Sequence, residues 1–304
     1  LTSLNYIKRM DLDTYRQQRR GGRGIIGMST KEEDYVTDVF VANTHDYLLC
    51  FTTTGRAYWL KVYDIPEGSS TSRGKAIVNL LNLDNEKVTA VIPVREFSRD
   101  RFLFFATRKG MVLKVPLEEF SRPRSTGIIA MNLREGDELV DVKITDGKRE
   151  VILTTRKGQS LRFSESAVTE HHRGAMGVIG IRMRGNDALR AVSLVEKDHL
   201  LTVTENGYGK RTSFDEYRAQ QRGGKGIITM KTSDRNGPVV AAHAVRDGDA
   251  LMIITEHGQM IRIAVSEIRV ISRITQGVRV IQLEEGDRVV SATTVEPDQE
   301  EAAA

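Results

Sequence analysis

The residues of this chain best placed for chemistry form a glycine-rich loop, Gln18-Arg19-Arg20-Gly21-Gly22-Arg23-Gly24. Glycine reaches backbone torsions closed to other residues, so successive amides in such a loop can converge on an anion, while arginines add charge and forked N–H donors. Phosphate is the anion this combination suits. A copy, Gln220-Gln221-Arg222-Gly223-Gly224-Lys225-Gly226, stands 202 residues further on, with Gln221 where the first loop has a basic residue. Shorter echoes occur at Arg73-Gly74-Lys75, at Arg122 and Arg124, at Arg173-Gly174 and at Arg273. Gly22, Gly24 and Gly27 also match the dinucleotide fingerprint GxGxxG, which needs a strand before it and a helix after it. Here the motif follows Gln-Gln-Arg-Arg and opens an apolar run, and the copy has Thr229 at the third glycine. A nucleotide-binding oxidoreductase is therefore disfavoured.

Catalysis has no visible home. No Walker loop, nucleophile elbow or duplicated carboxylate pair is present, so no catalytic residue is assigned. The six histidines share no ligand spacing and a single cysteine, Cys50, excludes a disulfide framework or a Cys-rich zinc site, so no metal ligand is assigned either. His171 and His172 lie in a basic segment and are expected to touch phosphate or solvent. Tyr15 and Tyr217 precede the two glycine loops at matching places, where packing against the loop is the expected role. No apolar run approaches the ~20 residues of a membrane span, and the first residues resemble no signal peptide. The expectation is a soluble cytoplasmic piece of a longer chain. Net charge is +4, but seven acids and one base lie from Glu284 onward, leaving 44 bases against 34 acids before it. A basic body with an acidic end points to a polyanion partner.

The elements that must position these loops repeat. A turn residue between two apolar or β-branched runs recurs at Asn5, Gly55, Gly110, Gly158, Gly207 and Gly258, in steps of 50, 55, 48, 49 and 51. A small residue opening a second apolar run recurs at Gly24, Ala76, Gly127, Gly177, Gly226 and Gly277, in steps of 52, 51, 50, 49 and 51. Alternating runs such as Val140, Val142 and Ile144 close each unit with the period of a half-buried strand. Six units of about four strands predict radial repetition, a propeller-like disc, over residues 1–295, with 296–304 an acidic, disordered tail. A linear solenoid is disfavoured because neither end unit reads as a polar cap. Four residues after each turn position stand Arg9, Trp59, Lys114, Arg162, Arg211 and Arg262, with Lys8, Lys61 and Lys210 beside or near them. Equivalent places on each blade predict a basic rim, joined by Arg73, Lys75, Arg122, Arg124, Arg173, Arg222, Lys225 and Arg273.

The heptapeptide Gln18–Gly24, set within six repeats of about 50 residues, resembles the signature box of the C-terminal domain of the DNA gyrase A protein. That resemblance covers nearly the whole chain. It implies an all-β fold, a six-bladed β-pinwheel whose blades exchange strands, with duplex DNA wrapped around its basic rim. It further implies a non-catalytic domain of an ATP-dependent type IIA topoisomerase that introduces negative supercoils. The implied partners are double-stranded DNA, the N-terminal breakage-reunion domain of the gyrase A protein and the gyrase B protein, with no membrane partner. The domain itself is expected to need no cofactor, ATP and magnesium being used elsewhere in the enzyme. The related topoisomerase IV domain typically has a degraded box, so the intact box favours gyrase. The competing reading is a kelch-like propeller whose basic rim holds an acidic protein partner.

Overall fold

The computed structural model describes residues 1–2, 4–10, 40–69 and 72–296. The first repeat supplies β1 (Tyr6–Ile7), and the second supplies β2 (Tyr47–Thr52), β3 (Arg56–Lys61), β4 (Lys75–Ala76) and β5 (Val88–Val94). The third contributes β6 (Phe102–Thr107), β7 (Met111–Pro116), β8 (Ile128–Ile129) and β9 (Leu139–Thr145). The fourth gives β10 (Glu150–Thr155), β11 (Gln159–Ser164), β12 (Val178–Ile179) and β13 (Leu189–Leu194). In the fifth come β14 (His199–Thr204), β15 (Tyr208–Ser213), β16 (Ile227–Ile228) and β17 (Val239–Val245). The sixth ends with β18 (Ala250–Thr255), β19 (Met260–Ala264), β20 (Val278–Arg279) and β21 (Val289–Val295).

Each of the second to sixth repeats thus makes a hairpin, a two-residue strand and a long strand, and it gives the two-residue strand away. The sheets run β5-β2-β3-β8, β9-β6-β7-β12, β13-β10-β11-β16 and β17-β14-β15-β20, so every fourth strand comes from the following repeat. The third sheet in sequence, for instance, closes where Gln159 and Ser160 pair with Ile228 and Ile227. Between the hairpin and the short strand, the polar connector opens with a 3-10 turn, as at Val62–Asp64 or Glu165–Ala167.

The expectation of six blades is corrected: among the described residues the propeller has five, four of four strands and one, β21-β18-β19, of three. Of the first repeat the described residues include only β1 as a strand, paired with β4 of the second. Residues 11–39 lie outside the described residues, and the sixth-repeat blade receives no fourth strand among those described. The second landmark also moves. Tyr6 pairs with Ala76 as Arg56 pairs with Ile129, which makes Gly74, not Ala76, the equivalent of Gly127.

The turn glycines explain why the sheets stay together. Gly55, Gly110, Gly158, Gly207 and Gly258 have φ between 80° and 84°, and Asn5 takes their place at 60°. Each turn follows a buried threonine, and the hydroxyls of Thr52, Thr107, Thr155 and Thr255 accept a backbone N–H from across the turn at 3.1–3.2 Å. The Gly158 carbonyl then accepts the N–H groups of both Thr229 and Met230 of the next repeat, and Gly55, Gly110 and Gly207 do the same for their successors. A Cβ on Gly158 would lie 2.0 Å from the Met230 carbonyl oxygen.

Both faces of the hairpins of the second to fifth repeats are buried, against different neighbours. Leu48 and Cys50 of β2 face Ile7 of the first repeat, while Leu49 and Phe51 face Leu103 and Phe105 of the third. Phe104 and Ala106 then pack on Val151 and Leu153 of the fourth. The strict alternation of a strand therefore ties each of these sheets to the repeats on either side of it.

Gly158→Ala should cost about 3 kcal/mol, combining a left-handed torsion with a clash on a neighbouring backbone. Urea unfolding checks this; a loss below about 1 kcal/mol would contradict the close approach.

Candidate nucleic-acid interface

The position four residues after the turn is not a row of free cations. Arg9 donates its Nε–H to the Ile65 carbonyl at 2.8 Å, and Lys114 donates from Nζ to Glu165 O at 3.1 Å. Arg162 reaches Phe214 O and Tyr217 O, and Arg211 donates its Nε–H to Ile268 O at 2.7 Å. All these acceptors belong to the 3-10 turn of the following repeat or its flank. Trp59 fits the series, because its indole N–H donates to Phe120 O at 2.8 Å. The shared property is an N–H donor on a long side chain, and charge is incidental. Lys114 (7% exposed), Arg211 (5%) and Lys210 (0%) are buried, so these three are corrected from rim positions to staples between repeats.

Arg162, Arg9 and Arg262 are half-buried. Arg162 also pairs with Glu150, and Arg9 with Glu67 at 3.6 Å. Lys210 donates from Nζ to Ser272 O, Arg273 O and Thr275 Oγ1, and Lys8 makes the matching contacts to Ser69 O and Ser72 O. Burial pushes the Lys210 pKa down to about 8, with Glu216 opposing the fall. Lys61 lies 3.4 Å from the Tyr47 ring centroid.

A second group braces the connectors. Arg173, Arg222 and Arg273 each extend a guanidinium N–H to the carbonyl of a donated strand's last residue, Ile129, Ile179 and Ile228. The exposed members of the expected rim are Arg73, Lys75, Arg122, Arg124 and Lys225, all on connectors or donated strands. The first loop, Gln18, Arg19, Arg20, Gly21, Gly22, Arg23 and Gly24, lies outside the described residues, as does Tyr15. Tyr217 is buried, bonded to the Thr229 hydroxyl at 2.5 Å, and burial pushes its pKa to about 12.

The second loop is described in full, and it lines an open concavity of about 450 Å³. Its walls are Arg182, Arg218, Arg222, Gln220, Gln221, Ala219, Gly223 and Gly224, with no acid among them. Arg182 holds the loop through Gly223 O at 2.6 Å and Gly224 O at 2.9 Å, and the Gly223 N–H is fixed by Gly180 O. Gln220 Nε2 is buried with no acceptor among the described residues, an orphaned donor at the wall of a cationic hollow. Arg182 and Arg218 escaped sequence reasoning because neither keeps register with the turn landmarks. Among the described residues, no group of three or more His, Cys, Asp or Glu is placed to hold a metal ion.

A succession of strand-exchanging sheets with glycine-rich, cationic loops on its connectors defines a β-propeller domain. The chain belongs to the family described as DNA gyrase C-terminal domain, beta-propeller, which matches residues 1–43, 46–95, 101–146, 149–196, 198–246 and 249–296. Those six segments follow the six repeats. The DNA gyrase A protein of Salmonella typhimurium is 48% identical over 299 residues, 97% of this chain and 34% of that protein. The chain thus spans about a third of the length of the curated relatives it matches. A solved structure described as that of the DNA gyrase A C-terminal domain superposes with a TM-score of 0.85 at 26% identity, covering 97% of both chains. The C-terminal domain of DNA topoisomerase IV follows at 0.78 and 28% identity, covering 97% of this chain and 92% of that one.

Trp59→Phe removes the indole N–H together with part of the buried ring, so it should lower stability by at least about 1–3 kcal/mol, through the orphaned Phe120 carbonyl and the lost packing. An unchanged urea midpoint would remove the staple. Lys210 gives a pH signature. Between pH 8 and its ordinary value of 10.5 the unfolded chain keeps a proton that the folded chain has released. Stability relative to Lys210→Met should therefore rise with pH across that window; a flat or falling difference would contradict the burial.

Proposed function

We propose that this domain binds duplex DNA through its phosphate backbone, without reading base sequence, and bends and wraps it with one hand around the outer edge of the propeller. The concavity at Arg182, Arg218 and Arg222 carries this reading. It combines three guanidiniums, fixed glycine backbone and an orphaned amide donor, a set that fits phosphate oxygens and leaves carboxylate partners out. Arg73, Lys75, Arg122, Arg124 and Lys225 extend the exposed positive surface on other connectors. Bending a few tens of base pairs costs on the order of 1–10 kcal/mol, so many modest contacts along a continuous path are required. A domain made of similar units around a ring supplies such a path.

In this reading the domain is non-catalytic and serves a cytoplasmic DNA gyrase. The rest of the gyrase A protein cleaves DNA and the gyrase B protein hydrolyses ATP, and the wrapped segment gives strand passage the direction that produces negative supercoils. Identity to the gyrase A protein supports gyrase over the topoisomerase IV relative, which shares the fold. Neither metal nor nucleotide is needed for the domain's own binding.

Affinity for random-sequence duplex should fall steeply with salt, log K against log salt sloping at roughly −5 to −9 for six to ten phosphates. A slope near −1, or strong preference for one short sequence, would overturn the proposal and favour an acidic protein partner. Affinity should also survive EDTA in the absence of ATP, measured by gel retardation; a strong requirement for either would mean that a site has been missed.

A further inference from the structure

Tyr208 opens β15 directly after the turn at Gly207, with its ring 5% exposed. Two guanidiniums converge on it. Arg235, from the loop between β16 and β17, stands 5.1 Å from the ring centroid, and Arg279, on the donated strand β20, stands 5.7 Å away. Each also donates to the phenol oxygen at 3.3 Å. Arg279 is the direct ladder partner of Tyr208, so one arm of the pair is set by strand exchange between the fifth and sixth repeats. The other arm is set by the fifth repeat alone.

Both arginines are exposed, and among the described residues neither forms an ion pair with a carboxylate. Two cations brought to one phenol repel each other unless an anion joins them. Hydrogen bonds from Arg235 and then Arg279 hold the Tyr208 hydroxyl below its ordinary pKa, which marks how strongly positive the place is. The ring occupies part of each guanidinium, and the N–H edges left over make a fork of the kind that grips a phosphate through two oxygens. In the first repeat Tyr6 holds the equivalent position and one cation, Arg73 from the connector before β4, stands 5.8 Å from its ring, while the ladder partner of Tyr6 is Ala76. The doubled form occurs at the seam of the fifth and sixth repeats.

We propose that Tyr208, Arg235 and Arg279 form a phosphate clamp that takes a phosphodiester of the duplex after it leaves the loop at residues 220–226. This rests on the DNA-binding reading above. It adds a site that carries the bound path from the fifth repeat onto the sixth. Tyr208 is the positioning residue, and the two arginines make the contact.

The test compares the parent domain with Arg235→Gln/Arg279→Gln in binding a random-sequence 40-base-pair duplex across a salt series. One or two lost phosphate contacts should make the slope of log K against log salt shallower by about 1 to 2. Arg235→Lys/Arg279→Lys keeps the charge and loses the fork, so it should keep the slope and bind several-fold more weakly. The second readout is phenolate absorbance, with Tyr208→Phe identifying the Tyr208 contribution. Duplex should shift that titration upward, and inorganic phosphate at the same phosphate concentration should shift it far less. A Gln/Gln variant with the parent's slope and affinity would overturn the clamp while leaving the wider reading intact. So would a Tyr208 titration moved by inorganic phosphate and untouched by duplex, which would mean a free-anion site. A parent that binds no duplex would bring down the wider reading and the clamp together. Should the Gln/Gln variant unfold, the Lys/Lys variant and the absorbance titration decide the matter.

Discussion

Everything in this domain depends on a carbonyl–amide contact that crosses from one repeat to the next. The carbonyl of a turn glycine takes two N–H groups from the segment after the donated strand, and that strand adds only two residues to the neighbour's sheet. A two-residue strand has little stability of its own. It is held by what flanks it: the glycine turn on one side, the connector with its 3-10 turn on the other, and the donor at Trp59, Lys114 or Arg162 reaching over from the neighbouring hairpin. Each repeat is thus incomplete until its successor folds, and the spacing between outer loops is set by backbone geometry. Such a spacing is what a long, regular polyanion requires if its phosphates are to meet one loop after another.

Charge in the chain divides into two uses that the sequence alone does not separate. Buried cations such as Lys210 and Arg211 satisfy carbonyl oxygens at the seams, where an N–H donor of sufficient reach matters. Exposed cations on the connectors, together with the hollow beside Gln220, are the ones open to a ligand. Removing a seam cation, or a connector cation that braces a donated strand such as Arg222, weakens the scaffold, whereas removing an exposed one such as Arg122 or Arg124 leaves these contacts in place. The proposed wrapping draws on both, since a path of weak contacts repays bending only when the loops are held rigidly apart.

The repeat was legible because turn glycines and period-2 strands leave fixed marks, and Gly55, Gly110, Gly158, Gly207 and Gly258 all sit where those marks predict. Strand donation itself left no mark: a run of two residues has no periodicity, and Ala76 looked like a landmark when the register makes Gly74 the equivalent. A blade's fourth strand also pairs further than one repeat beyond its partner, 66 residues on for Val112 with Val178 and 71 for Ala57 with Ile128. The staples were misread as a rim because five of six are basic; Trp59, the exception, was the clue that donation mattered more than charge. Arg182 and Arg235 carried no signal, being placed by loop geometry off the repeat, whereas Arg279 is set by the donated strand β20.

The central claim is that the domain wraps duplex DNA with one hand. It is tested most directly by binding the domain to relaxed circular DNA, treating the complex with a nicking-closing enzyme and measuring the linking number after the protein is removed. The account predicts a shift of one sign that grows with the amount of domain bound. Saturating binding with the linking number unchanged would contradict it.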